Sequence, residues 1–217
     1  MALAAVASSR AAVVHVPAEQ PTIQAAVNAA SAGDEVQIAP GVYTEQVIIE
    51  NKDLTLTGAV GTVLRGWSKM KLSPKYGWFN LVEITRANVV VRNLEFEGEW
   101  LVDALAATPN YGYSAISYDA SGGTVDHCSI HGFRGGTTLG FVSGVGVVTW
   151  NPISLGGARV HVEIVGNAFA DNALSIWMTG DWMSNPSELR TTFNIENNSI
   201  SGIGPTSLGT QHGIVIV

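Results

Sequence analysis

Four segments of this chain of 217 residues align without gaps. They are Val91-Arg-Asn-Leu-Glu-Phe-Glu-Gly98, Val125-Asp-His-Cys-Ser-Ile-His-Gly132, Ile164-Val-Gly-Asn-Ala-Phe-Ala-Asp171 and Ile195-Glu-Asn-Asn-Ser-Ile-Ser-Gly202. Successive copies start 34, 39 and 31 residues apart, and a weaker copy begins at Leu56. Each copy is apolar at its first and sixth positions, and its third or fourth position is usually Asn, His or Gly. That pattern spells a strand, a sharp polar bend and a second strand. One such unit cannot bury its apolar face alone, so units stack and the interior becomes continuous.

The spacing predicts an all-β fold, a single-stranded right-handed parallel β-helix with a short N-terminal capping helix. An antiparallel sandwich also has many short strands, but the repeat and the scarcity of Asn-Gly or Asp-Gly hairpin signals favour the solenoid. One domain covers residues 1–217, with a cap at 16–33 and coils at 34–217. The helix reads as Thr22 to Ala30, after Pro21 and before Gly33, with Ile23, Ala26, Val27 and Ala30 on one face. Strands are expected at Asp34–Ile38, Val47–Ile49 and Leu54–Leu56, and before the copies at Leu81–Ile84, Ala115–Tyr118 and Leu174–Trp177. Long loops are expected over Glu99–Tyr113, Arg134–Ala158 and Thr179–Arg190. Asn93, Asn167, Asn197 and Asn198 are expected at bends, with stacked Asn side chains bonding in ladders. The chain closes on Ile214-Val-Ile-Val217, an apolar strand with no helix or charge after it. An uncapped solenoid end invites pairing, so either this end meets another copy, giving a homo-oligomer through Ile214 to Val217, or the chain is a piece of a longer protein; self-association is the favoured expectation.

Composition bounds the partners. Hydrophobic residues make up 46% and charged residues 13%, enough apolar surface for a large core. Net charge is −7 with no Lys/Arg cluster, which argues against nucleic acid and anionic membranes. No apolar run is long enough to span a membrane. A single cysteine, Cys128, excludes an internal disulfide and reads as a buried small hydrophobe.

The stretch Pro21-Thr-Ile-Gln-Ala-Ala-Val, then Gly33-Asp-Glu-Val-Gln-Ile, then Pro40-Gly-Val-Tyr-Thr-Glu45 resembles the N-terminal cap and first coil of the pectin-lyase-like superfamily. The resemblance is specific over residues 21–58, and beyond them only the coil pattern is shared. It implies a β-helix associated with carbohydrate, in an extracellular or secreted setting. The superfamily holds lyases, hydrolases, esterases and adhesive or structural proteins, so the fold does not decide the function. The downstream motifs of pectinesterases are absent, and no catalytic residue is carried over.

Candidate residues come from the stacking itself. Equivalent residues on successive coils lie about 4.8 Å apart. Arg92 therefore neighbours Asp126, Glu97 neighbours His131, and Glu95 sits beside Ser129. Arg92, Glu97, Asp126 and His131 are the candidate catalytic groups. A carboxylate beside an imidazole can transfer protons, and an arginine can neutralise a sugar carboxylate. The competing reading is charge pairing on a solvated face. Trp100, Trp177, Trp182 and Arg134 are the candidate substrate-binding residues, because exposed aromatic faces stack on sugar rings. Folding of the rings back over the solenoid wall is the alternative. No metal is expected. Asp103, Asp119, Asp171 and Asp181 are scattered, and the five histidines show no Glu-x-x-His spacing. No cofactor is expected; calcium is possible for such a fold, but the sequence does not indicate it.

Two function classes follow. One is an enzyme that cleaves or modifies a polysaccharide, of lyase or hydrolase type. The other is a non-catalytic glycan-binding, adhesive or structural module that self-associates. The partner in either case is a polysaccharide or glycan.

Overall fold

The computed structural model describes residues 10–67, 69–74, 77–99, 112–134, 144–150, 159–179, 191–202 and 211–216. Trp100 and Trp182 lie outside them, as do most residues of the expected long loops. Among the described residues, no helix is long and apolar enough to cross a membrane.

The strands form three sheets that are parallel throughout. The first sheet holds Val13–Val16, Glu35–Ile38, Leu54–Gly58, Asn88–Arg92, Gly122–Asp126, Val160–Val165 and Thr191–Glu196. The second holds Gly41–Tyr43, Thr62–Arg65, Glu95–Glu97, Ser129–His131, Ala168–Ala170 and Ser199–Ser201. The third holds Val47–Glu50, Phe79–Thr85, Tyr113–Asp119, Gly144–Trp150, Leu174–Met178 and His212–Ile216. From Glu35 onward the chain visits the sheets in turn, so each circuit adds one strand to each. This is a parallel β-helix.

In the first and second sheets, register follows the four aligned copies of the sequence repeat. Leu56, Val91, Val125, Ile164 and Ile195 are successive partners in the first sheet. Leu64, Phe96, Ile130, Phe169 and Ile200 do the same in the second. The inner members of both ladders are fully buried and build the core. The bend between these sheets is set by the third position of each copy. Asn93, His127, Gly166 and Asn197 all have positive φ, near the left-handed well where Asn and Gly are least penalised. The fourth position faces inward. There Asn167 donates to Val125 O and Asn198 Oδ1, both at 2.9 Å, and accepts from Cys128 N at 2.8 Å. The ladder satisfies backbone groups that the bend strips from the sheets.

The helix Ile23–Ala29 closes the first coil, burying Ile23, Ala26 and Val27. Side chains from the coils hold both its ends. Glu45 accepts from the N–H of Ile23 and of Gln24 at 2.9 Å each, and Thr22 accepts from Ala25 N. Lys52 Nζ donates to the carbonyls of Val27 and Ala30 at 2.7 Å. Negative charge at the start and positive charge at the end match the helix dipole.

Two features depart from the sequence expectation. Gly144–Trp150 is a buried strand of the third sheet inside the span expected as a loop from Arg134 to Ala158. Gly-Val-Gly-Val-Val-Thr-Trp is covered on both faces, so it lacks the alternation that marks a half-exposed strand. Pairing in the third sheet also passes over Leu81, Ala115, Gly146 and Ser175. Around this irregularity Leu81 and Val82 both join the core. Asn80, Glu83 and Thr85 are left facing outward, where strict alternation would not place all three.

Candidate functional site

The second sheet carries the histidine that stacking singled out. Glu97 and His131 are register partners, as are Glu95 and Ser129. The side chains choose partners less predictably than the backbone. His131 Nδ1 bonds Glu99 at 2.8 Å and its Nε2 bonds Glu95 at 3.1 Å, while Glu97 pairs with Arg65 of the preceding coil. Burial of the imidazole opposes its charge, but hydrogen bonds and charge from Glu99 and Glu95 outweigh that and raise its pKa. His131 thus bridges two carboxylates. Gly132, with φ of +73°, lets the Glu99 carboxylate approach, since a Cβ there would lie 2.2 Å from Glu99 Cδ.

Arg92 and Asp126 are register partners in the first sheet. Arg92 turns back to Thr57 at 2.9 Å and to Glu35 at 3.2 Å, one and two coils earlier. Asp126 pairs with His127 at the bend. The stacking neighbours are therefore in place, yet Arg92 and His131 are engaged with different groups on different sheets. Arg134 pairs with Asp171 of the next coil.

Trp177 sits where alternation put it, outside the third sheet, while Ile176 and Met178 are in the core. It packs with Trp78 and Trp150 in a trio with centroids 5.3 to 5.8 Å apart, over Val145, Val148 and Leu174. Its ring covers the solenoid wall. Offset and tilted aromatic contacts of this kind favour a fixed arrangement.

Beside the trio lies a polar face that sequence reasoning missed. Asn80, Glu83, Thr85, Ser114, Ser117 and Asp119 are all buried on the outer side of the third sheet. Ser114 donates to Asn80 Oδ1 at 2.8 Å, Asn80 Nδ2 to Glu83 at 3.1 Å, and Ser117 to Asp119 at 3.0 Å. Thr85 and Asp119 share a rung, and so do Glu83 and Ser117. With strands about 4.8 Å apart and a rise of about 3.3 Å per residue, the Cα atoms of Glu83 and Asp119 lie roughly 8 Å apart.

Asn80 and Glu83 also line an open groove of about 870 Å³ between this face and the capping helix. Its other walls include Ile48, Glu50, Trp67, Lys69, Lys71 and Leu72. Gln46 fixes the rim by bonding Lys71 N, Lys71 O and Asn80 O. The only sequence signal for this site was a cluster of Ser, Asn and acidic residues in strands of otherwise apolar character.

No family model matches the chain, and no curated protein matches it in sequence. Among solved structures, it is similar to a crystal structure of a pectin methylesterase mutant in complex with a hexasaccharide. The two are 14% identical with a TM-score of 0.42, over 91% of this chain and 67% of that one.

Proposed function

We propose that this β-helix is a carbohydrate-associated protein, met outside the cell, that holds a polysaccharide in the groove beside the third sheet. The observation that carries the reading is the composition of that groove. It combines an indole, Trp67, apolar patches at Ile48 and Leu72, and amide and carboxylate groups at Asn80 and Glu83. Sugar rings present apolar faces and paired hydroxyls, which such a lining matches. An open groove admits a polymer, whereas a closed pocket would select a small ligand. Binding is tested by titrating a panel of neutral and acidic polysaccharides against the protein and its Trp67→Ala and Glu83→Gln variants. Saturable binding weakened at least about tenfold, roughly 1.4 kcal/mol, in both variants is the expected result. No binding across the panel overturns the reading.

Catalysis is a second reading, favoured by the burial of Glu83 and Asp119 on one face. Two carboxylates in different surroundings can divide acid and base roles. Reducing-end and unsaturated-product assays, with Glu83→Gln, Asp119→Asn, Asp126→Ala and His131→Ala, separate this site from the one expected on the first and second sheets.

The reading includes self-association. Ile200, Ile214 and Ile216 continue interior ladders yet are 39%, 45% and 63% exposed. Pairing of these exposed strand edges between two copies is the proposed contact. Sedimentation of the protein against Ile214→Asp reads this directly, and a monomer at all concentrations overturns it.

A further inference from the structure

We propose that Glu95, Glu97 and His131 form a binding site for a divalent transition-metal ion, with Glu99 supporting the histidine from behind. The site is independent of the groove. Glu95 and Glu97 are two residues apart on one short strand, so both point outward. His131 stands opposite Glu97 on the next coil. One donor atom from each of the three falls within 4.8 Å of the others. Donors that close, fixed on a two-strand ladder, surround one point without rearrangement of the backbone.

Glu99 supplies the second observation. It lies outside the trio and bonds Nδ1 of His131 at 2.8 Å, which leaves Nε2 aimed at Glu95. A carboxylate behind a ligating imidazole fixes ring and tautomer and raises ligand basicity. An imidazole with two carboxylates suits zinc or manganese better than calcium, which prefers oxygen alone. Three protein donors leave a coordination position for water. Arg65 of the coil before pairs with Glu97, so it competes with the ion for that carboxylate. The ion and the guanidinium then share the two oxygens of Glu97. Spacing motifs could not reveal the site, because His131 and Glu95 are 36 residues apart.

The test is calorimetric titration of the whole chain with zinc chloride and with manganese chloride at about pH 7.5, where proton competition is modest. One saturable site is expected, with one ion bound per chain. Affinity should fall at least about tenfold in Glu99→Gln and further in His131→Ala and Glu95→Gln. Circular dichroism confirms which variants fold, and Glu99→Gln keeps the test alive should His131→Ala not fold. No saturable binding by about 1 mM ion, or equal binding by wild type and the folded variants, overturns the proposal.

Discussion

Asn167 and Asn198 lie one above the other inside the bend of successive coils, with Asn167 Nδ2 donating to Asn198 Oδ1 at 2.9 Å. Asn167 also accepts from Cys128 N and donates to Val125 O, and it is buried. Replacement by alanine strands a buried N–H and a carbonyl together. The expected loss is about 2–4 kcal/mol in urea-unfolding free energy. Asn198 is only partly buried, so Asn198→Ala should cost about half as much. Equal losses for the two would show that depth along the ladder does not matter.

Gly123 occupies a strand position where φ is +138° and a Cβ would fall 2.0 Å from Val89 O. Alanine there must push apart two strands of the first sheet. Gly123→Ala should lower stability by roughly 3 kcal/mol or more, or prevent folding. A thermal midpoint within a degree or two of wild type would contradict the close approach.

Tyr118 is fully buried, and its hydroxyl donates to Val89 O at 2.9 Å. Burial pushes this phenol far above its ordinary pKa, so it stays neutral over the usual range. Tyr118→Phe keeps the ring and deletes the donor, for an expected cost of about 1–2 kcal/mol. Stability unchanged in the variant would mean that the carbonyl finds another donor.

Asp34 gives the fold a defined acid sensitivity. Its carboxylate accepts from Ala12 N at 2.8 Å and Ser31 N at 2.7 Å, and these bonds hold its pKa below the ordinary value. A depressed pKa stabilises the folded state above the unfolded pKa, and that contribution is lost as pH falls through the folded pKa. Asp34→Asn should therefore lower stability at neutral pH and close the gap with wild type in acid. Parallel curves for the two proteins down to about pH 2 would rule this out.

The interior of this protein was legible from its amino acids. Val91, Val125, Ile164 and Ile195 could be aligned by eye and are partners in one sheet. Inward positions of a stacked solenoid accept only apolar side chains, and bends with positive φ favour Asn or Gly, so both leave a periodic mark. The partners of outward side chains left none. Arg92 has Asp126 beside it in register yet bonds Thr57 and Glu35. A long solvated side chain reaches several neighbours of similar energy, and only packing selects one. The groove beside Glu83 likewise depends on the irregular pairing near Leu81 and on the capping helix lying alongside. Composition and periodicity determine which residues must be inside. The relative placement of distant coils decides which polar groups outside them meet, because that is a property of three-dimensional proximity and carries no local signature.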